Sequence, residues 1–264
     1  MDLADPIPTV SSTGNGPNNS GTTTTTAPNV SDIEDPGTNE TPCQKLHKLL
    51  IQNSIAREGL HALENRLLTQ RVESGFVFNN DASGFHLSPS FNNGPHSANY
   101  KLTPTTEGSA HNHPPLVGDD EPNYPMFSPA DLQPLVKINN LHPTTPGNPI
   151  PFNYSLMVVE GYTYAIVPNN PSTLTAIESK FLNLETLEKF NKELYNKYVA
   201  IGNPWDCGQL PLAKLFLEFV NIKYNLNISI YQIPNADFDN PNNTWKKVIL
   251  NPNATGGVET LNCN

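Results

Sequence analysis

Two histidines one residue apart, His111 and His113, constrain this chain more than any other feature. On a β-strand, residues i and i+2 share a face, so a strand ending here turns both imidazoles the same way. A proline-rich loop follows, then Ser128-Pro129-Ala130-Asp131. That tetrad reads as a helix start, with Ser as N-cap, Pro at the first helical position and Asp at the third. The cap alone is a sufficient structural reason for Ser128 and Asp131, and it still leaves carboxylate oxygens free for a metal. A fold that brings this strand end to this helix start offers two nitrogens and one oxygen to one ion. The fourth tetrahedral position is then open to water, which is how a catalytic zinc site differs from a closed structural one.

Taken together, His-x-His-Pro, a loop and Ser-x-x-Asp resemble the metal signature of the JAMM/MPN+ (JAB-type) metalloproteases, in a bacterial or phage-type member. Relatives of that family include deubiquitinases and RadC-type proteins. The resemblance covers roughly residues 70–170. It implies an MPN/JAB-like core, zinc held by His111, His113 and Asp131, and Ser128 supporting the transition-state oxygen. It also implies a glutamate at the start of an upstream strand, before a Gly and apolar residues, that polarises the water. Glu73, in Glu73-Ser74-Gly75-Phe76-Val77-Phe78, matches that position. Glu107 is the poorer candidate, being four residues from His111 on the same predicted strand. The chain departs from the family in one respect: fourteen residues, Pro114 to Phe127, separate His113 from Ser128, roughly double the usual spacing. Added loop length costs little chain entropy, so an outward bulge leaves the ligand set possible.

Composition divides the chain unevenly. Residues 1–40 are Thr, Asn, Gly, Pro and Ser with almost no large apolar side chains, and read as a disordered tether. They hold six acidic residues (Asp2, Asp5, Asp32, Glu34, Asp35, Glu40) and no Lys or Arg. These supply most of the formal charge of -10. No basic stripe is left for a phosphate backbone, which argues against a nucleic-acid partner. Cys43, Cys207 and Cys263 are too few and too scattered for a disulfide framework. No apolar run approaches a membrane span, and no signal core opens the chain. The expectation is a soluble, non-membrane protein, cytoplasmic by default, although Met1 opens straight into linker-like sequence, as in the C-terminal part of a longer product.

The fold expected is α/β: a mixed sheet flanked by helices, behind the disordered N-terminal tail and followed by an α+β C-terminal extension. Order begins at Thr41-Pro42-Cys43-Gln44, a capping-box pattern opening a helix over 42–69. Strands are expected at 73–78, 84–89, 97–102 and 107–112, then a helix from Ser128 to about 140 that Pro134 should bend or shorten. Strands at 154–160 and 162–167 complete a core over 41–170. The extension, 171–264, reads as helices at 172–183, 184–200 and 209–224 and two strands, 227–232 and 245–250, with a loose tail after Asn251.

Other constellations carry less. Asp206-Cys207-Gly208 resembles the nucleophile turn of NlpC-type cysteine peptidases, but no histidine follows to serve as its base. His47 and His61 read as surface residues of the first helix, and His86, His96 and His142 lack partners at ligand spacing. The acidic run 119–121 reads as solvated charge. The expected function is therefore zinc-dependent hydrolysis of a peptide or isopeptide bond in a protein or peptide substrate. The alternatives are a catalytically silent binding or assembly module of the same fold, and a toxin or particle-associated domain of a longer protein.

Overall fold

The computed structural model describes residues 40–115, 123–143, 152–202, 209–242 and 244–263. The proposed tether, the acidic run 119–121, the middle of the long loop and Cys207 lie outside the described residues.

Thr41 does cap a helix, α1 (Pro42–Ile51), and a capping box with Gln44 is present. The leucine pattern does not continue as one helix to 69. Asn53 accepts from Ala56 N–H and caps a second helix, α2 (Ser54–Leu67), so the chain breaks between them. Strands β1 (Gly75–Asp81), β2 (Gly84–Pro89), β3 (Phe91–Gly94), β4 (Ser97–Asn99) and β5 (Thr106–Asn112) follow. After β5 the chain reaches a 3-10 turn at Pro129–Asp131 and helix α3 (Leu132–Leu141). Pro134 therefore sits in the first turn of α3, where its missing N–H has no intrahelical acceptor to lose, and it does not break the helix. Strands β6 (Tyr154–Val159) and β7 (Tyr162–Pro168) are joined at Gly161, whose φ of 78° suits a turn. Helices α4 (Pro171–Phe181), α5 (Leu184–Val199) and α6 (Gln209–Leu217) follow, the last continuing as a π-helical turn, Glu218–Lys223. Strands β8 (Ile228–Pro234), β9 (Lys246–Leu250) and β10 (Val258–Asn262) end the chain.

Eight strands make one mixed sheet in the order β10-β9-β8-β7-β6-β5-β1-β2, flanked by helices, while β3 and β4 form a separate hairpin. All pairings in the large sheet are antiparallel except β5 with β6. That parallel pair needs a crossover, which the segment carrying α3 provides. Every residue of β6 is buried, because helices cover both faces. Leu156 and Val158 join α1 and α2 in one apolar cluster; Met157 and Val159 join α3 to α6 in the other. The strands of the C-terminal region extend this same sheet outward from β7.

Two expectations are corrected. The stretch after Asn251 is not loose, because β10 pairs with β9 from Val258↔Leu250 to Asn262↔Lys246. Cys43 and Cys263 are joined in a disulfide, with Cα atoms 5.6 Å apart at a sequence separation of 220. Their distance in sequence concealed a contact that only the assembled fold creates. No helix among the described residues is long and apolar enough to cross a membrane.

Candidate metal centre

The alternation expected of β5 decides which way its side chains face. Ala110 and Asn112 turn to the α2 side, and His111 turns to the other face. His113, just past the strand end, keeps the extended path through its N–H bond to Val158 O at 3.0 Å. The two Nε2 atoms stand 3.0 Å apart. The helix start then brings Asp131 to them: Oδ1 lies 3.2 Å from His111 Nε2 and Oδ2 lies 3.6 Å from His113 Nε2. Donors bound at the usual 2.0–2.1 Å around a tetrahedral ion stand about 3.3 Å from one another. The imidazole pair and the nearer Asp131 oxygen of each imidazole lie around that value, the two Asp131 contacts being made by different oxygens. His111, His113 and Asp131 are thus placed to hold a metal ion.

Each ligand is oriented by the fold. The Nδ1 of His113 hydrogen-bonds the Tyr124 carbonyl at 2.7 Å, which leaves Nε2 to face the centre. Asp131 Oδ2 accepts from the backbone N–H of Ser128 at 2.6 Å, so the cap and the carboxylate's aim come from one interaction. Asn191 on α5 accepts from Ala130 N–H at 3.0 Å and braces the same turn.

Glu73 precedes β1 and stands on the open side, with Oε1 3.4 Å from His113 Nε2. Its carboxyl is buried, 5% exposed. Asn112, fully buried between the two histidines in sequence, locks this corner from the opposite face. It accepts from Ser74 N–H at 2.7 Å and donates to Leu63 O at 3.1 Å. Gly75 is required nearby, because a Cβ there would meet Ala110 O at 2.4 Å and the Tyr100 hydroxyl at 2.5 Å.

Burial and mutual charge set the protonation of the metal-free cluster. Burial pushes the Glu73 carboxyl up to about 8, and Asp131 adds to the rise against the opposing pull of His113. Burial opposes charge on His113, but Glu73, Asp131 and the Tyr124 carbonyl outweigh it and raise the imidazole to about 9. Burial also lowers His111, in spite of Asp131. Asp131 is held well below its usual range by the two histidines, which overcome its burial. Without metal, burial thus favours the protonated form of the Glu73 carboxyl, and the acidic neighbours favour the protonated form of the His113 imidazole.

No protein-family model, curated protein or solved structure matches this chain.

Of the residues named from sequence, Glu73, His111, His113 and Asp131 converge directly. Ser128 lines a cleft of about 560 Å³ together with Glu73 and His113. Glu107 does not converge; it accepts from Asn80 at the far end of β5. A second, smaller cleft of about 180 Å³ meets the cluster from the side of His111 and Asp131, with Tyr100 and the β3–β4 hairpin in its wall. His96, in the turn of that hairpin, hydrogen-bonds Asn123 and borders both clefts. Sequence reasoning assigned no role to Asn112, Asn191, Tyr100 or His96. Only Asn112 carried a readable signal, since a polar residue between two inward ligands must face the opposite layer.

Proposed function

We propose that this protein is a zinc-dependent hydrolase of the JAMM type that cleaves a peptide or isopeptide bond in a protein or peptide substrate. The observation that carries the reading is the convergence of two imidazole nitrogens and a carboxylate at ligand separation, with a second, buried carboxyl 3.4 Å from one of them. Two nitrogens and one oxygen with an open position suit zinc in a catalytic rather than a closed site. His111, His113 and Asp131 would hold the ion.

When bound, zinc lowers the pKa of a coordinated water toward roughly 7 and polarises a carbonyl. The remaining chemistry belongs to the chain. Glu73 takes the proton from the attacking water and passes it to the leaving amine as the C–N bond breaks. Its position favours this, because the carboxyl stands 3.4 Å from one of the candidate ligands and borders the cleft. The Ser128 hydroxyl, on the wall of the same cleft, donates to the carbonyl oxygen as negative charge develops there. One such donor contributes about 3 kcal/mol. The low exposure of the cluster keeps bulk water out, which strengthens each of these interactions.

The test is zinc stoichiometry by native mass spectrometry together with a substrate screen that includes linked ubiquitin-like tails. One zinc per chain and cleavage that stops with a chelator are expected. A chain that binds no zinc, or that binds zinc and cleaves no amide in a broad panel, sinks the proposal.

A further inference from the structure

The larger cleft beside Glu73 and His113 has a wall supplied by α5, from the region outside the JAMM resemblance. Asn191, Leu194, Tyr195 and Tyr198 fall at i, i+3, i+4 and i+7 and so form one stripe of that helix. Most of the stripe is explained by docking. Leu194 and Tyr198 are buried in the core, Tyr198 donates to Phe127 O at 2.9 Å, and Asn191 braces the Ala130 turn. Tyr195 is not explained in this way. It is only half-buried, and its ring meets Tyr124 edge-on, centroids 5.4 Å apart and planes at 87°. Tyr124 belongs to the segment whose carbonyl orients His113. An aromatic wall is thus built directly onto the metal ligand's support.

The rim carries a charge of its own. Lys189 and Lys197 on α5 are each matched by a glutamate, Glu185 and Glu193. Lys192, exposed at the cleft, has no such match among the described residues, in a chain with a formal charge of -10. Met126 and Leu194 complete a mainly apolar lining. A volume of about 560 Å³ admits a large side chain with part of its backbone.

We infer that the cleft lined by Tyr124 and α5 is a side-chain subsite for an aromatic residue of a peptide, with Lys192 pairing the carboxylate of an acidic neighbour. Its place next to the scissile bond rests on the hydrolase reading above, whereas its binding preference does not. An aromatic ring joins the existing Tyr195–Tyr124–Tyr198 cluster, and offset or edge-on ring contacts add to simple burial. The lysine's contribution is exposed and therefore weak and salt-sensitive.

The test measures binding, by NMR titration of the full chain with and without zinc. The probes are acetyl-Asp-Phe-amide, acetyl-Asp-Ala-amide and acetyl-Asn-Phe-amide. The Phe peptide should bind about tenfold more tightly than the Ala peptide. Asp should bind severalfold more tightly than Asn at low salt. Tyr195→Ala should abolish the first preference and Lys192→Glu should reverse the second. Neither side chain is buried, and melting curves confirm that both variants fold. Equal binding of the Phe and Ala peptides, no saturable binding, or an unchanged preference in Tyr195→Ala would overturn the subsite. Aromatic preference in a zinc-loaded protein that cleaves nothing keeps the subsite and removes the hydrolase; cleavage without the preference does the reverse.

Discussion

Glu73 Oε1 lies 3.4 Å from His113 Nε2, although 40 residues separate them and neither lies inside a regular element. The contact puts a titratable group on the open side of the three ligands without making it a fourth. Glu73→Gln preserves the shape and removes the proposed base. Zinc content should stay at the parent value while turnover falls about 10²- to 10⁴-fold. A readout that does not depend on catalysis accompanies this. Since burial raises the parent carboxyl to about 8, the metal-free Gln variant should be more stable than the metal-free parent at pH 9, where Glu73 must carry a charge. Parent-like turnover in Glu73→Gln would show that another group takes the proton.

The same cluster makes the metal-free protein pH-sensitive, with a definite sign. His113 is raised from 6.5 to about 9 in the folded state, so its contribution is complete below about pH 6.5 and is lost as pH rises through 9. Glu73 has the same sign, raised from 4.5 to about 8, with loss beginning near pH 4.5. Asp131 has the opposite sign: lowered in the fold, it stabilises above its usual 3.8 and loses that as pH falls. Urea midpoints in EDTA should therefore fall from pH 6 to pH 9. Zinc should cancel the part due to His113, because the ion takes the place of its proton. Zinc affinity should rise with pH up to about 9, by about tenfold per unit for the one proton displaced. Midpoints that rise over that range in EDTA would contradict the assigned protonation.

How far the sequence exposed this site depends on the range of each signal. His111 and His113 were readable because strand alternation is local, and Ser128 and Asp131 because a helix cap is local. Glu73 came from the family resemblance, since nothing local points from residue 73 to residue 113. The eight-stranded sheet was only partly visible. Individual strands such as β6 and β7 announce themselves as apolar runs, but the placement of β8, β9 and β10 on the same sheet is a long-range pairing. The break at Asn53 was missed because the leucine spacing runs across it and only the Asn53 cap interrupts it. The wall formed by α5 was invisible for a different reason: the stripe 191, 194, 195, 198 reads equally well as plain core.

Asn112 offers a test of positioning apart from ligation. Its side chain joins Ser74, the residue after Glu73, to Leu63 on α2, from the face opposite the candidate ligands. Asn112→Ala leaves the buried Ser74 N–H unpaired, at a cost of about 2 kcal/mol. The histidines remain, so zinc should still bind one per chain. Turnover should drop, because the start of β1 is no longer held where Glu73 needs it. Urea unfolding, zinc stoichiometry and kcat measured on one preparation check all three. Loss of zinc together with turnover would mean that Asn112 supports the ligands and not Glu73.

The Cys43–Cys263 disulfide closes a loop of 220 residues, tying the first turn of α1 to the end of β10. In the chain-entropy account a closure of this length removes much freedom from the unfolded chain, and loss of such a bridge costs about 2–5 kcal/mol. Cys43 belongs to the apolar cluster on the α1–α2 face, whereas Met157, in register with His111, and Phe127, whose ring contacts His111, belong to the cluster on the other face. The double variant Cys43→Ser/Cys263→Ser should therefore unfold at lower urea and still bind one zinc. In the parent, non-reducing electrophoresis should show the faster-migrating bridged form, and thiol alkylation should leave Cys43 and Cys263 unmodified until reductant is added. A bridge of this kind persists in oxidising surroundings and is rare in a reducing cytosol, so the same alkylation on protein taken directly from its native source reports its compartment. Full labelling of all three cysteines there, with stability equal to that of the double variant, would mean that the protein works reduced and that the sheet closes without the covalent tie.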